Sequence, residues 1–271
     1  MDYFTSQKIS PSITRIKDVT GVLMYLAEGD KKAILIDTGT GLGSLKEYVK
    51  SLTSLPLTVI LTHGHADHGG GAALFETVYL NEADFELVRH HCTYDVKSKY
   101  AEFIMGTLPP VEVFAPDRGT GYTLCQTGDI FDLGGISLQV IALPGHTHGM
   151  MTILFREERS ILLGDACNSS LFLFLEESLT VEQYKKSLQR FQDQYGGLFD
   201  KVYLSHGTGD IPKQVIQDCL DVCEDILAGR ADAVPFVFMK EEQLIAKKIN
   251  GNQERLDGKW GNIVYNKNKI R

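Results

Sequence analysis

The segment Leu57-Thr-Val-Ile-Leu-Thr-His63-Gly-His65-Ala-Asp67-His68-Gly-Gly-Gly71 constrains this chain more than any other stretch. Its apolar start reads as a short buried strand. Three histidines and an aspartate then crowd into six residues at the strand's carboxyl end. A lone histidine on an apolar face is commonly a satisfied core residue, and His90 and His91 are read that way. Packing His63, His65, Asp67 and His68 together without partners would desolvate four polar groups at once. Metal ligation explains the cluster more directly, because imidazoles and carboxylates suit zinc and other first-row divalent ions. Gly64 and the glycines at 69–71 permit the tight turns and close backbone approach that such a loop needs.

Three later positions repeat the same arrangement. His146 follows Ile141-Ala-Leu-Pro-Gly, Asp165 follows Ile161-Leu-Leu-Gly, and His206 follows Val202-Tyr-Leu-Ser. Buried strands fix backbone direction, so loops leaving the same edge converge on one point. Asp37 ends another apolar run; its residue type fits either a support for the histidine loop or a plain turn.

The remaining pattern supplies the frame. Strands are expected at 21–29, 32–37, 57–61, 78–80, 136–143, 151–155, 160–163 and 201–206, with helices at 42–52, 69–75, 82–91 and 210–229. Thr180-Val-Glu-Gln183 has the form of a capping box. Behind it, Tyr184, Leu188, Phe191 and Tyr195 form one apolar stripe, with Gly196-Gly197 as the stop. Residues 82–127 are long for a connector and read as a lid insertion. Residues 230–271 read as a C-terminal extension. Its segment 246–271 carries seven Lys/Arg and is expected to be a solvated tail, the alternative being an anion-attracting or subunit-contacting arm. Two similar halves of strands and helices point to an α/β (α+β) class: a single domain, 1–271, built as a four-layer αββα sandwich of two mixed sheets flanked by helices. No dinucleotide fingerprint follows an early strand.

Composition narrows the function classes. The formal net charge of −8 argues against nucleic acid as a partner. No apolar run approaches the roughly 20 residues needed to cross a bilayer, so no membrane role is expected. Five scattered cysteines do not form a disulfide framework. Cys219 and Cys223 read as core, as does Cys167. A cytoplasmic protein follows, and a homo-oligomer stays open.

The motif order resembles that of the metallo-β-lactamase superfamily. His63-Gly-His65-Ala-Asp67-His68 is similar to its H-x-H-x-D-H element, Pro144-Gly-His146-Thr147 to its P-G-H-T element, and Gly164-Asp165 and His206 to its later ligands. The resemblance, closest to the glyoxalase II-like branch, implies that His63, His65 and His146 hold one metal. Asp67, His68 and His206 would hold a second, with Asp165 between them. Zinc is the expected ion, with iron or manganese open. It further implies a hydrolase that uses a metal-bridging hydroxide on an ester, thioester or lactone small molecule, with Asp67 and Asp165 as catalytic carboxylates.

Several features near the site qualify this reading. The basic residues that bind glutathione in glyoxalase II are missing after Asp165. Asn168 stands near the position of a lactonase tyrosine, as an oxyanion donor or a turn cap. His148 is a candidate acid beside the metals, and Leu171, Phe172 and Phe174 are a candidate apolar wall or core. A mononuclear-iron sulfur dioxygenase and a phosphodiesterase or nuclease of the same superfamily remain as alternatives.

Overall fold

The apolar runs become strands whose burial reports how many layers cover them. In the computed structural model, which describes residues 2–271, the first half contributes β1 (Phe4–Lys8), β2 (Ile13–Asp18), β3 (Leu23–Glu28), β4 (Ala33–Ile36), α1 (Leu45–Leu52), β5 (Leu57–Ile60), α2 (Ala66–Gly69), β6 (Val78–Leu80), α3 (Phe85–His91), α4 (Tyr94–Met105) and β7 (Thr123–Leu124). Its strands form one sheet in chain order, antiparallel from β1 to β4 and parallel from β4 to β7. The second half contributes β8 (Ile130–Asp132), β9 (Ser137–Ala142), β10 (Met151–Phe155), β11 (Ser160–Gly164), β12 (Leu171–Phe172), α5 (Val181–Tyr195), β13 (Lys201–Leu204), β14 (Asp210–Ile211) and α6 (Val215–Leu227). Here the sheet order is β14-β13-β11-β10-β9-β8.

Every residue of β4, β10 and β11 is buried, as expected for strands covered on both faces. On the inner side, Tyr25, Ile36 and Ile60 of the first sheet meet Leu138, Ile153 and Leu162 of the second. On the outer sides, Leu45 and Val49 of α1 cover the first sheet, while Tyr184 and Leu188 of α5 with Cys219 and Cys223 of α6 cover the second. This is the αββα layering expected. The capping box is present: Thr180 Oγ1 accepts from the Gln183 amide at 3.3 Å and Gln183 Oε1 from the Thr180 amide at 3.1 Å.

Several expectations are corrected. The strands begin earlier than expected, since β1 and β2 pair ahead of residue 21. The helix expected from 42 starts at Leu45, because Gly41 and Gly43 take left-handed φ values of 80° and 70°. The stretch 69–75 is no helix. The chain makes one turn at α2 and a 3-10 turn at Ala72–Leu74, and glycine is required at 70 and 71 because a Cβ there would strike the backbone of Thr40 or Thr38. Residues 210–211 pair as β14, so α6 begins only at Val215. Gly196-Gly197 do end α5 after Tyr195, through a 3-10 turn.

The largest correction is at the C-terminus. Strands β15 (Val234–Phe238), β16 (Glu241–Ile245) and β17 (Ile263–Tyr265) join β12 in a third sheet, order β12-β17-β16-β15. Four of the seven basic residues there are internal ties. Lys247 pairs with Asp225 of α6 at 2.6 Å, Lys259 with Asp221 at 2.9 Å, and Arg255 with Asp257. Lys269 donates to the carbonyls of Leu175 and Glu176. Among the described residues no helix is long and apolar enough to cross a membrane.

Candidate metal centre

Strand direction places the ligand-type residues. β9 and β11 are each antiparallel to β10, and β11 is parallel to β13, so these three strands end at the same edge. His146, Asp165 and His206 leave that edge. Asp37 and the histidine loop leave the matching edge of the parallel pair β4 and β5. Three backbone or hydroxyl bonds tie the two edges together: Met151 N to Thr62 O at 2.8 Å, Leu23 N to Ser205 O at 2.8 Å, and Tyr25 OH to Leu204 O at 2.6 Å.

The result is a compact nest. His63 Nε2 and His146 Nε2 each lie 3.0 Å from His65 Nδ1. Asp165 Oδ2 lies 3.1 Å from His206 Nε2, 3.5 Å from His68 Nε2 and 3.8 Å from His146 Nε2, so it spans both groups. Asp67 Oδ2 is 3.6 Å from both His68 Nε2 and His206 Nε2. Among the described residues, four groups have ligand atoms within 4.8 Å of one another: His63/His65/His146, Asp67/His68/His206, His63/His68/Asp165 and, beside them, His65/His91/Glu177. His63 and His68 are fully buried, whereas the His206 side chain is 37% exposed and so marks the mouth.

Hydrogen bonds to the outer ring nitrogens decide which nitrogens carry protons. His68 Nδ1 donates to Asp37 Oδ2 at 2.9 Å, and His146 Nδ1 to the Phe172 carbonyl at 2.9 Å. His65 Nε2 donates to Glu177 Oε1 at 2.6 Å. His63 Nδ1 donates to Thr62 Oγ1 at 3.0 Å, and that hydroxyl donates onward to Asp37 Oδ2 at 2.8 Å. His63, His65 and His146 therefore turn unprotonated nitrogens inward, the arrangement that ligand histidines need. Three such lone pairs, with two contacts of 3.0 Å between them, repel one another unless a cation lies among them. His68 Nε2 and Asp165 Oδ1 are buried without a hydrogen-bond partner, as cation ligands would be.

Charge preferences point the same way. Burial, with His68 next in weight, pushes His63 well below its ordinary pKa, and burial with His65 brings His146 down to about 4. Burial alone would also strip His68 of a proton, yet Asp67, Asp37 and Asp165 hold it well above the ordinary value. Burial favours neutral Asp165 and Asp67, but the neighbouring His68 and His206 hold both carboxyls below the usual range. The carboxylates therefore demand positive charge where a divalent ion would sit. The residues fit such ions.

Asp37 is more than a turn. Its φ of 64° is left-handed, a position more strained for aspartate than for glycine, and the Thr62 amide and hydroxyl hold it there. Asn168 caps a turn, accepting from the Ser170 amide at 2.8 Å. His148 is exposed and lies outside the groups that can hold a metal. His90 is exposed and His91 half-buried, so neither is the core residue expected. His91 stacks on His65 with ring centroids 5.1 Å apart. Leu171 is fully buried, whereas Phe172 is only partly so.

Three contributors escaped the sequence reading. Glu177 orients His65. Asp84, buried at the start of α3, accepts from the Gly64 amide at 2.9 Å, Thr147 Oγ1 at 2.7 Å and the Gly149 amide at 2.7 Å, clamping the loops of His65 and His146 together. Burial raises the Asp84 carboxyl's pKa while these three donors pull it back. On α4, burial followed by the charge of Asp67 pushes the Tyr100 phenol far above its ordinary value, so it stays a neutral donor near Asp67. No motif marks these residues; only the folded loops bring them in.

Comparison with known proteins agrees with this geometry. A family model described as the metallo-beta-lactamase superfamily matches residues 18–193, more than half of the chain, with His206 just beyond it. The chain is 29% identical over 204 residues to the acyl-coenzyme A thioesterase MBLAC2 of Gallus gallus, covering 68% of this chain and 71% of that protein. It is 28% identical over 138 residues to the hydroxyacylglutathione hydrolase GloC of Haemophilus influenzae, covering 51% and 62%. A metallo-beta-lactamase from Pontibacter korlensis shares the fold with a TM-score of 0.59 at 20% identity, over 80% of this chain and 97% of that one. Fold and paired clusters together support a metal-dependent hydrolase. With the sandwich, the nest of inward-facing imidazoles and the sequence match in accord, the chain belongs to the metallo-beta-lactamase superfamily.

Proposed function

We propose that this protein is a binuclear metal-dependent hydrolase of small acyl esters, with thioesters as the substrate class that fits best. The observation that carries the reading is the convergence of three unprotonated imidazole nitrogens beside the buried, unpartnered Asp165 Oδ1. His63, His65 and His146 would hold one ion, Asp67, His68 and His206 the other, and Asp165 would lie between them. Bound ions of this kind supply a water acidified toward neutral pH and a Lewis acid for the developing oxyanion. The substrate class draws on the two relatives above, whose names describe thioester hydrolases.

The chain's own groups have separate tasks. Asp37 orients His68 directly and His63 through Thr62, so one carboxylate fixes two imidazoles. Asp67 stays ionised because His68 and His206 flank it. It can therefore accept the proton that water loses as it attacks the acyl carbon, and return it to the departing thiolate or alkoxide. Buried strands on both sides exclude bulk water from all but the His206 mouth.

The test is a panel of acyl thioesters, oxyesters, lactones, a β-lactam and a phosphodiester, offered to metal-loaded protein. Thioester or ester turnover that falls at least about 10³-fold in His65→Ala and Asp165→Ala, with native circular dichroism, is the expected result. Turnover confined to the phosphodiester, or unchanged in both variants, would overturn the reading.

A further inference from the structure

Side chains alternate between the faces of a strand, and register shows which residues of the third sheet share a face. Phe172 is aligned with Val264, Val264 with Ile245, and Ile245 with Val234. Alternation along β15 adds Phe236 and Phe238 to the same side. The opposite side, with Leu171, Ile263 and Tyr265, enters the core beneath α5 and α6. The aromatic side forms a smaller cluster of its own, with Ile245 and Val264 buried among the half-buried rings of Phe172, Phe236 and Phe238. Its rings gather on one another, Phe172 with Phe174 at 4.9 Å, with Phe238 at 4.8 Å and with Phe236 at 6.0 Å between centroids.

One end of this face abuts the loop of His146. The Phe172 carbonyl accepts from His146 Nδ1, so the wall begins directly behind a ligand-type histidine. At its other end Phe238 meets Phe103 of α4 edge-on at 5.4 Å. α4 packs against α2, the helix of Asp67 and His68. Phe103 nonetheless leaves 48% of its surface in solvent, with neighbouring Ile104 at 42%. A chain of aromatic rings from three separate segments thus leads from the ligand loops to the surface.

We propose that the Phe172–Phe238–Phe103 wall binds the alkyl chain of an acyl substrate whose carbonyl carbon sits at the metal centre. This rests on the hydrolase reading above. Continuity with the His146 loop selects that occupant, since Phe172 joins the ring cluster to the segment that holds a ligand-type histidine. Clustered rings reward each methylene by removing it from water, but offer no donors or acceptors to a sugar or nucleotide.

The experiment measures kcat/KM for acetyl, butyryl, octanoyl and dodecanoyl thioesters with the metal-loaded full chain, alongside fluorescence titration with a dansyl-labelled fatty acid. Burial of one methylene corresponds to roughly a fourfold gain, so kcat/KM is expected to climb by up to about sixteenfold per pair of carbons until the wall is covered. Phe103→Ala and Phe238→Ala should each lower the dodecanoyl-to-acetyl ratio about tenfold and weaken fatty-acid binding. Leu198→Ala, exposed in the turn leading into β13 and away from the ligand loops, should change neither. Fatty-acid binding that responds to Phe103→Ala without any thioester turnover would support the wall and sink the hydrolase reading. Turnover without length preference, or fatty-acid binding indifferent to both phenylalanine variants, would overturn the wall. So would a dimer that Phe103→Ala dissociates, which would make a second copy the occupant.

Discussion

Each inward-facing imidazole depends on the group behind it. Glu177 holds the outer nitrogen of His65 at 2.6 Å, and a lost partner of this kind typically costs about 10–100-fold in metal affinity. Glu177→Ala should therefore weaken metal binding by that range in competition with a chromophoric chelator, and Glu177→Gln, whose amide oxygen still accepts, should recover most of it. Equal affinity in all three proteins would remove Glu177 from the account. Asp84 acts on backbone instead. Asp84→Ala leaves the Gly64 and Gly149 amides and the Thr147 hydroxyl without an acceptor, a loss of roughly 2–4 kcal/mol in denaturant unfolding, with a smaller loss in Asp84→Asn. The ligand-type residues themselves were legible, because His63, His65, Asp67 and His68 are dense in sequence and the others end apolar runs. Glu177 and Asp84 were not. A single acidic residue 112 positions from its partner carries no local signal, and only the fold reveals it.

At the level of elements, parallel strands explain why distant loops meet. The strands legible in advance were the fully buried ones, such as β4, β10 and β11, whose apolar runs leave little ambiguity. The third sheet was obscured. Pro235 and the pair Glu241-Glu242 break the strand pattern, and seven basic residues from 246 onward suggest a tail. Charge proved to be the fastening, with Lys247 bound to Asp225 on α6. The hydrogen bond from Lys247 holds the Asp225 carboxyl below its ordinary value of 3.8. A carboxyl with a depressed folded pKa stabilises fully above its unfolded value and loses that contribution as pH falls through the folded one. Lys247→Met should thus cost up to about 1 kcal/mol at neutral pH. That difference from wild type should shrink as thermal unfolding is followed to pH well below 3.8. A gap that persists unchanged in acid would show that the pair contributes through packing instead.

For the whole molecule, the site is a seam between two sheets rather than a feature of either. The inner layer joins them, and the ligand loops of both close over its edge. Removing the ions would leave the repelling lone pairs of His63, His65 and His146 uncompensated. Chelation should therefore lower the thermal midpoint of the full chain by roughly 5–10 °C, reversed by adding back metal. The layered sandwich could be read from the order of strands and helices. The way the C-terminal sheet turns one face to the core and gathers aromatic rings on the other could not, because sequence alternation does not say which neighbour each face will meet.

The account stands most directly on the metal content of the purified full chain, measured by elemental analysis for wild type and for Asp165→Ala. It predicts about two divalent ions per wild-type chain, the number that the His63/His65/His146 and Asp67/His68/His206 groups together would hold, and fewer in the variant. A wild-type protein that takes up no divalent ion on incubation with zinc, iron or manganese would contradict it.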